Sequence, residues 1–247
     1  MKEKIDVVIL TYNEEEVIED AIKSVKSFAE KIIVVDSESN DDTGRIAKNN
    51  GASVYIHPFK NFSEQRNFAL QLSHSSWIFY LDADERVTAE FKDELLEALN
   101  ESNFSAFIVK RRTFYFGKDW GFEDEVPRIF WRESFKNWTG VVHETPHFMG
   151  KSGRLKNPIL HYTHRNLRQM LQKTNEWSEY EAKLRHDAHH PPMKPWRFLR
   201  VMVSEFFRNY IKLKGYRNGT HGFIESVYQS YSMFITYAKL WELQNKK

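Results

Sequence analysis

Polar and acidic residues follow apolar runs three times in the first ninety positions. Thr11-Tyr12-Asn13-Glu14 follows Ile5–Leu10, Ser37-Glu38-Ser39 follows the run from Lys31 to Asp36, and Asp82-Ala83-Asp84-Glu85 follows Trp77–Leu81. Side chains two apart on an extended chain share a face, so Asp82 and Asp84 are expected to point to one side. Two hard oxygen donors suit Mg2+ or Mn2+, with further oxygens from a substrate's phosphates. Alone, Asp-Ala-Asp is also an ordinary acidic turn before a helix. Its place after a buried-type run, with Asp36 and Asn13 after neighbouring runs, favours the metal reading.

The elements that must hold these residues alternate in period. Nearly continuous apolar runs at 5–10, 31–36 and 77–81, with a shorter one at 53–57, predict strands covered on both faces. Helical spacing follows each: Val17, Ile18, Ala21, Ile22, Val25 and Phe28 after three glutamates expected to form a first turn, then Ile46 and Ala47, then 64–72, then 88–99. Strand and helix in alternation predict parallel strands joined by crossovers, an α/β sandwich whose ligands sit at the carboxyl ends of the strands. From Phe104 to His147 the pattern turns β-rich and aromatic, which predicts antiparallel strands added to the same sheet. Residues 150–158 read as a loop and 159–162 as a last short strand. After Arg165 the pattern is helical, interrupted at His189–Pro192 and around 215–222.

The 247 residues suffice for one large domain or a domain with an extension, at roughly 100–200 residues per domain. The absence of cysteine excludes disulfides, thiolate zinc and a cysteine nucleophile. No apolar run reaches the roughly 18–20 residues of a membrane span and no signal peptide is read at the start, which together predict a cytoplasmic protein. P-loop, GxGxxG and GxSxG patterns are missing, so nothing suggests an ATPase, a dehydrogenase or a serine hydrolase. His161, His164, His189 and His190 show no ligand spacing.

Four stretches, VVILTYNEEEVIEDAIKSV, KIIVVDSESNDDT, FKNFSEQRNFAL and WIFYLDADERV, together with their separations, resemble family-2 inverting glycosyltransferases of the GT-A fold. With RIFWR and WTGVVHETP added, residues 1–165 are similar to the lipopolysaccharide-core β-1,4-glucosyltransferase branch. The resemblance implies a Rossmann-like mixed sheet flanked by helices over 1–164 and a helical C-terminal region over 165–247. It implies transfer of a hexose, most naturally glucose, from a UDP-sugar to a lipopolysaccharide-core, glycolipid or other glycan acceptor. The alternatives are a related enzyme acting on a peptide or capsule precursor, or a non-catalytic nucleotide-sugar binder. Carried over by position, Thr11, Asn13 and Glu15 would line the nucleotide pocket, Asp36 would meet uracil or ribose, and Arg66 the base or diphosphate. Asp82 would contact ribose and metal, and Asp84 would hold Mg2+ or Mn2+ in a DXD motif, with His143 as a further ligand. Inversion needs a base opposite the leaving group; Asp124 is the favoured candidate and Glu144 the alternative or an acceptor contact.

Charge is uneven along the chain. Residues 1–164 carry 21 Lys/Arg against 27 Asp/Glu, residues 165–247 carry 15 against 7, so the tail is expected to meet a different partner. Between Lys194 and Arg217 seven cations face one acid, Glu205. A wheel gathers Leu199, Met202, Val203, Phe206, Phe207, Tyr210 and Leu213 on one side and Arg197, Arg200, Ser204, Arg208 and Lys212 on the other, with Val201 and Ile211 among them. A basic amphipathic helix entered at Trp196 suits an anionic membrane, on the inner face of the cell membrane if the acceptor is a glycolipid there. Equally, the stripe packs on the catalytic domain while the charges face water. No stretch resembles a nucleic-acid-binding module.

Overall fold

The computed structural model describes residues 3–101, 103–141 and 144–246. Its chain groups into two compact units, one of 1–113 with 123–162, the other of 114–122 with 163–247. The second unit differs from the helical region expected after 164 by including the short segment 114–122.

In the first unit, β1 (Ile5–Thr11) pairs in parallel with β2 (Lys31–Asp36) on one side and β4 (Trp77–Asp82) on the other, and β3 (Ser53–Ile56) extends β2. β7 (Lys118–Trp131) runs antiparallel to β4, and β6 (Ala106–Tyr115), β10 (Ser152–Thr163) and β5 (Glu85–Arg86) complete an eight-stranded sheet in the order β3-β2-β1-β4-β7-β6-β10-β5. Strands β1, β2 and β4 alternate their apolar residues between two buried layers. One layer packs α1 (Ile18–Val25), α2 (Thr43–Asn49) and α4 (Ala89–Glu101) through Ile22, Ala47, Phe91 and Leu95; the other packs α3 (Phe62–Leu72) through Ala69 and Leu70. This is the mixed α/β sheet flanked by helices expected from the sequence.

Three local expectations are corrected. Glu14–Glu16 form a turn before α1, not its first turn. Asn13 takes a left-handed φ of 54°, and the amides of Asn13, Glu14 and Glu15 donate to Ser39 Oγ, Thr43 Oγ1 and Asp41 Oδ2 at 2.8, 2.8 and 3.1 Å. These contacts tie the segment to the neighbouring loop, and the Glu14 carbonyl accepts the amides of Val17 and Ile18 at 3.0 and 2.9 Å where the chain enters α1. The aromatic region does not all join one sheet: β8 (Phe135–Thr139) and β9 (Thr145–Phe148) form a separate hairpin whose Phe135, Trp138 and Phe148 cover the α3 side. The expected loop at 150–158 is mostly the start of β10, where Leu155 and Ile159 join the core.

In the second unit α5 (Leu167–Asp187), α6 (Pro195–Phe207) and α7 (Gly219–Asn245) pack around Ala182, Met193 and Leu240, with α6 prolonged by a π turn at 208–212. Asn166 caps α5 by accepting from the Gln169 amide, and Pro195 opens α6 at a position whose amide needs no partner. Among the described residues no helix is long and apolar enough to cross a membrane.

Candidate active site

The strand register brings the carboxyl ends together. Thr11 lies opposite Asp36 and Leu10 opposite Asp82, where the sheet order switches from β1-β2-β3 on one side of β1 to β4 on the other. Asp36 is 1% exposed and its Oδ1 accepts the Ser39 amide at 2.7 Å, which shapes the loop after β2. Thr11 is buried, and its Oγ1 has no hydrogen-bond partner. Asn13 Oδ1 accepts the Asn40 amide at 2.8 Å and Glu15 Oε2 the Asp42 amide at 3.0 Å, so these two side chains lace the β1 loop to the loop before α2.

The chain does not stay extended across the two aspartates. β4 ends at Asp82, residues 83–84 turn, and β5 begins at Glu85. The expectation from a spacing of two rested on an extended chain through both residues, and the turn removes that premise. Asp82 accepts from Arg66 Nη2 and Arg128 Nη1, each at 3.2 Å, and from Arg128 Nη2. Asp84, 8% exposed, stands 3.5 Å from His161 Nε2.

From Asp82 an alternating chain of charges runs both ways. On one side Arg66 donates through Nε to Glu144 Oε1 at 3.0 Å. On the other, Arg128 Nη2 reaches Glu85 Oε1 at 3.0 Å, Arg111 Nη1 reaches the same oxygen at 3.3 Å, and Arg111 grips both oxygens of Asp124 through Nε and Nη2. Glu85 is wholly buried; its Oε2 accepts the Asp82 amide at 2.9 Å. The local scaffolding is explicit. Asn61 caps α3, which carries Arg66; Asn67 of the same helix exchanges two hydrogen bonds with the Trp138 backbone on β8; and the Arg66 guanidinium lies 5.1 Å from the Trp138 ring and 5.6 Å from that of Tyr80. Asp124 and Arg128 sit four residues apart on β7, on one face of the strand.

Electrostatics follow this arrangement. Burial would raise the Asp82 carboxyl, but Arg128 and Arg66 outweigh it and hold the group well below the usual carboxylate range. Burial likewise opposes the charge of Arg128, and Asp82 and Glu85 more than restore it. For Arg111 burial is outweighed by Asp124 and Glu85. His161 is pulled down by burial and pushed up further by Asp84, with a net rise. Burial lifts the Tyr80 phenol far above its ordinary value, so it stays neutral.

A cation would need its own donors. No three His, Asp or Glu side chains cluster as a ligand set among the described residues. Mg2+ or Mn2+ can be bound by one or two carboxylates with phosphate oxygens supplying the rest. Asp84, a hard oxygen donor with an imidazole alongside, fits such a site; the Asp82 oxygens are engaged by guanidinium groups. His143 lies outside the described residues.

Residues 6–156 match the family model for glycosyl transferase family 2. The chain belongs to glycosyltransferase family 2. It is a transferase, similar along nearly its whole length to other members. An uncharacterized glycosyltransferase of Rickettsia typhi is 30% identical over 98% of this chain and 88% of that protein. The lipopolysaccharide core biosynthesis glycosyltransferase LpsC of Rhizobium meliloti is 26% identical over 95% and 90%. Among solved structures, glucosyl-3-phosphoglycerate synthase of Mycobacterium tuberculosis, in complex with Mn2+, uridine diphosphate and glucosyl-3-phosphoglycerate, aligns with 25% identity and a TM-score of 0.38 over 46% of this chain and 44% of that one.

Within this glycosyltransferase, the fold unites three residues singled out from the sequence, Arg66, Asp82 and Glu144, and links them to a fourth, Asp124. Sequence reasoning missed the links themselves: Glu85, Arg111 and Arg128, together with His161. Arg128 lies inside a quoted motif, four residues after Asp124, and alternation along a strand was the available signal for it. Glu85 stood in the polar run after the fourth strand but was given no role, and Arg111 carried no signal.

Proposed function

We propose that this glycosyltransferase moves a hexose, glucose in our reading, from a UDP-sugar to a lipopolysaccharide-core or other glycolipid or glycan acceptor, with inversion. The observation that carries this reading is the unbroken charge chain from Glu144 through Asp82 to Asp124 at the carboxyl edge of β1 and β4. The likeness to LpsC supports the acceptor class.

In this reading Thr11, Asn13, Glu15 and Asp36 form the nucleotide side of the crevice and Asp82, fixed by Arg66 and Arg128, borders the ribose. Asp84 would hold a Mg2+ or Mn2+ ion, which supplies Lewis acidity for a departing diphosphate; His143 would be a further ligand. Asp124 is the base: its side chain is one-third exposed, against none for Glu85, so an acceptor hydroxyl can reach it. It takes the hydroxyl proton as the acceptor oxygen bonds to the anomeric carbon, and the electron pair of the breaking bond leaves with UDP. Arg111, which already touches Glu85, can lean toward that carboxylate and release Asp124. Glu144, one oxygen on Arg66, orients the acceptor.

The test is UDP release from a panel of UDP-sugars with Mn2+ or Mg2+. Turnover with UDP-glucose is expected, lost on chelation and in Asp84→Ala. Asp124→Asn should lower acceptor-dependent turnover by about 10²–10⁴ with UDP still bound, and Glu144→Gln should mainly raise the acceptor KM. Binding of UDP-sugars without turnover on any acceptor overturns the reading, and wild-type turnover in Asp124→Asn overturns the base assignment.

A further inference from the structure

The apolar stripe of α6 is divided by the fold. Phe198 and Phe206 meet Phe234 and Phe223 of α7 with ring centroids 5.7 and 6.1 Å apart, and Ser230 Oγ donates to the Met202 carbonyl at 3.0 Å. These pairs run in opposite chain directions, so α6 and α7 are antiparallel neighbours. Trp196, Leu199, Val203, Phe207 and Ile211 are left outside, exposed by 47–66%. No residue of α6 is fully buried. The outward residues of α7 are also apolar: Phe223, Ile224, Val227, Tyr231 and Phe234. Helical phase puts both sets on the same side of the antiparallel pair. Large side chains on two adjacent helices thus form one surface, where soluble proteins ordinarily expose apolar groups singly.

Along one edge of this surface runs a row of cations. Arg200, Arg208 and Lys212, each one position after an outward apolar residue, are exposed. Arg197 and Arg200 flank the Trp196 ring at 4.9 and 5.7 Å, and Lys194, Lys214 and Arg217 extend the charge at both ends. Glu205, the one acid of the segment, is taken by Arg208 at 2.9 Å. We propose that this α6–α7 face docks the protein on an anionic lipid surface, its apolar residues at the acyl boundary and its Arg and Lys among the headgroups. An aromatic-aliphatic face beside a basic edge, on helices that do not span, is the composition an interfacial helix needs. A lipid surface, unlike a second copy of the chain, accounts for the apolar face and the basic edge together.

The experiment is co-sedimentation of the full chain with vesicles of phosphatidylcholine alone and of phosphatidylcholine mixed with phosphatidylglycerol. Binding is expected only to the mixed vesicles and should weaken as salt is raised. The double variant Arg200→Glu/Lys212→Glu should reduce partitioning on the order of tenfold or more. Leu199→Ser/Phe207→Ser should reduce it comparably, with circular dichroism unchanged and UDP release from soluble substrates unchanged. Equal binding to neutral vesicles, absence of binding, or binding indifferent to both variants overturns the proposal. So does a concentration-dependent dimer that Leu199→Ser/Phe207→Ser disperses, without vesicle binding, which assigns the face to a second copy. Vesicle binding is read without sugar transfer, so failure of one leaves the other standing.

Discussion

Glu85 concentrates more of the site than any residue singled out from sequence. Its two oxygens serve Arg111, Arg128 and the Asp82 amide from a position with no solvent contact. Removing the carboxylate leaves two guanidinium groups in low dielectric with one partner each and one amide with none. Glu85→Ala is therefore expected to lower stability by about 3 kcal/mol, read from the denaturation midpoint. Glu85→Gln, which keeps an acceptor for the amide, should recover about 1 kcal/mol of that loss. A surface-like change under 0.5 kcal/mol in Glu85→Ala would show that the charge chain does not form. The polar character of 82–85 was visible as spacing after a strand. Its pairing was not, because Arg111 and Arg128 reach it only through strands that follow it in sequence and precede it in the sheet order.

At the scale of elements, the strands and helices of 5–99 were legible because burial on both faces imposes long apolar runs and crossover helices impose period 3.6. Errors fall where local pattern competes with a distant partner. β10 starts in a stretch of Ser, Gly, Arg, Lys and Asn that reads as loop, and it becomes a strand beside β6, with β5 pairing only its later residues Leu160 and His161. Packing also overrules propensity at Gly222 in α7. Alanine there would gain about 1 kcal/mol of helix propensity, yet its Cβ would stand 1.8 Å from the Gly215 carbonyl oxygen. Overpacking against backbone costs about 1–3 kcal/mol or more, so Gly222→Ala should destabilise α7 against the 215–218 turn. An unchanged or raised melting temperature would contradict that close approach.

The whole molecule holds two cores, one around the sheet and one around Ala182, Met193 and Leu240. Denaturant unfolding is expected to show two transitions. Asp6 offers a way to label the first. Buried at the start of β1, it accepts from Ser73 Oγ, the His74 and Ser75 amides and Ser75 Oγ at 2.7–3.1 Å, far along the strand from the site edge. Asp6→Ala should shift only the sheet transition and Gly222→Ala only the helical one; a single transition moved by both would mean one cooperative unit. The order of elements, the polar strand ends, the family and the basic amphipathic stretch were determined by sequence alone, since each is written in local periodicity and residue type. Only tertiary structure decided that the chain turns between Asp82 and Glu85, that Arg66, Arg128 and Arg111 join four acids into one chain, and which half of the α6 stripe faces out. Those outcomes depend on which distant side chains share a low-dielectric space, and no local pattern encodes a distance between strands that meet only in the folded sheet.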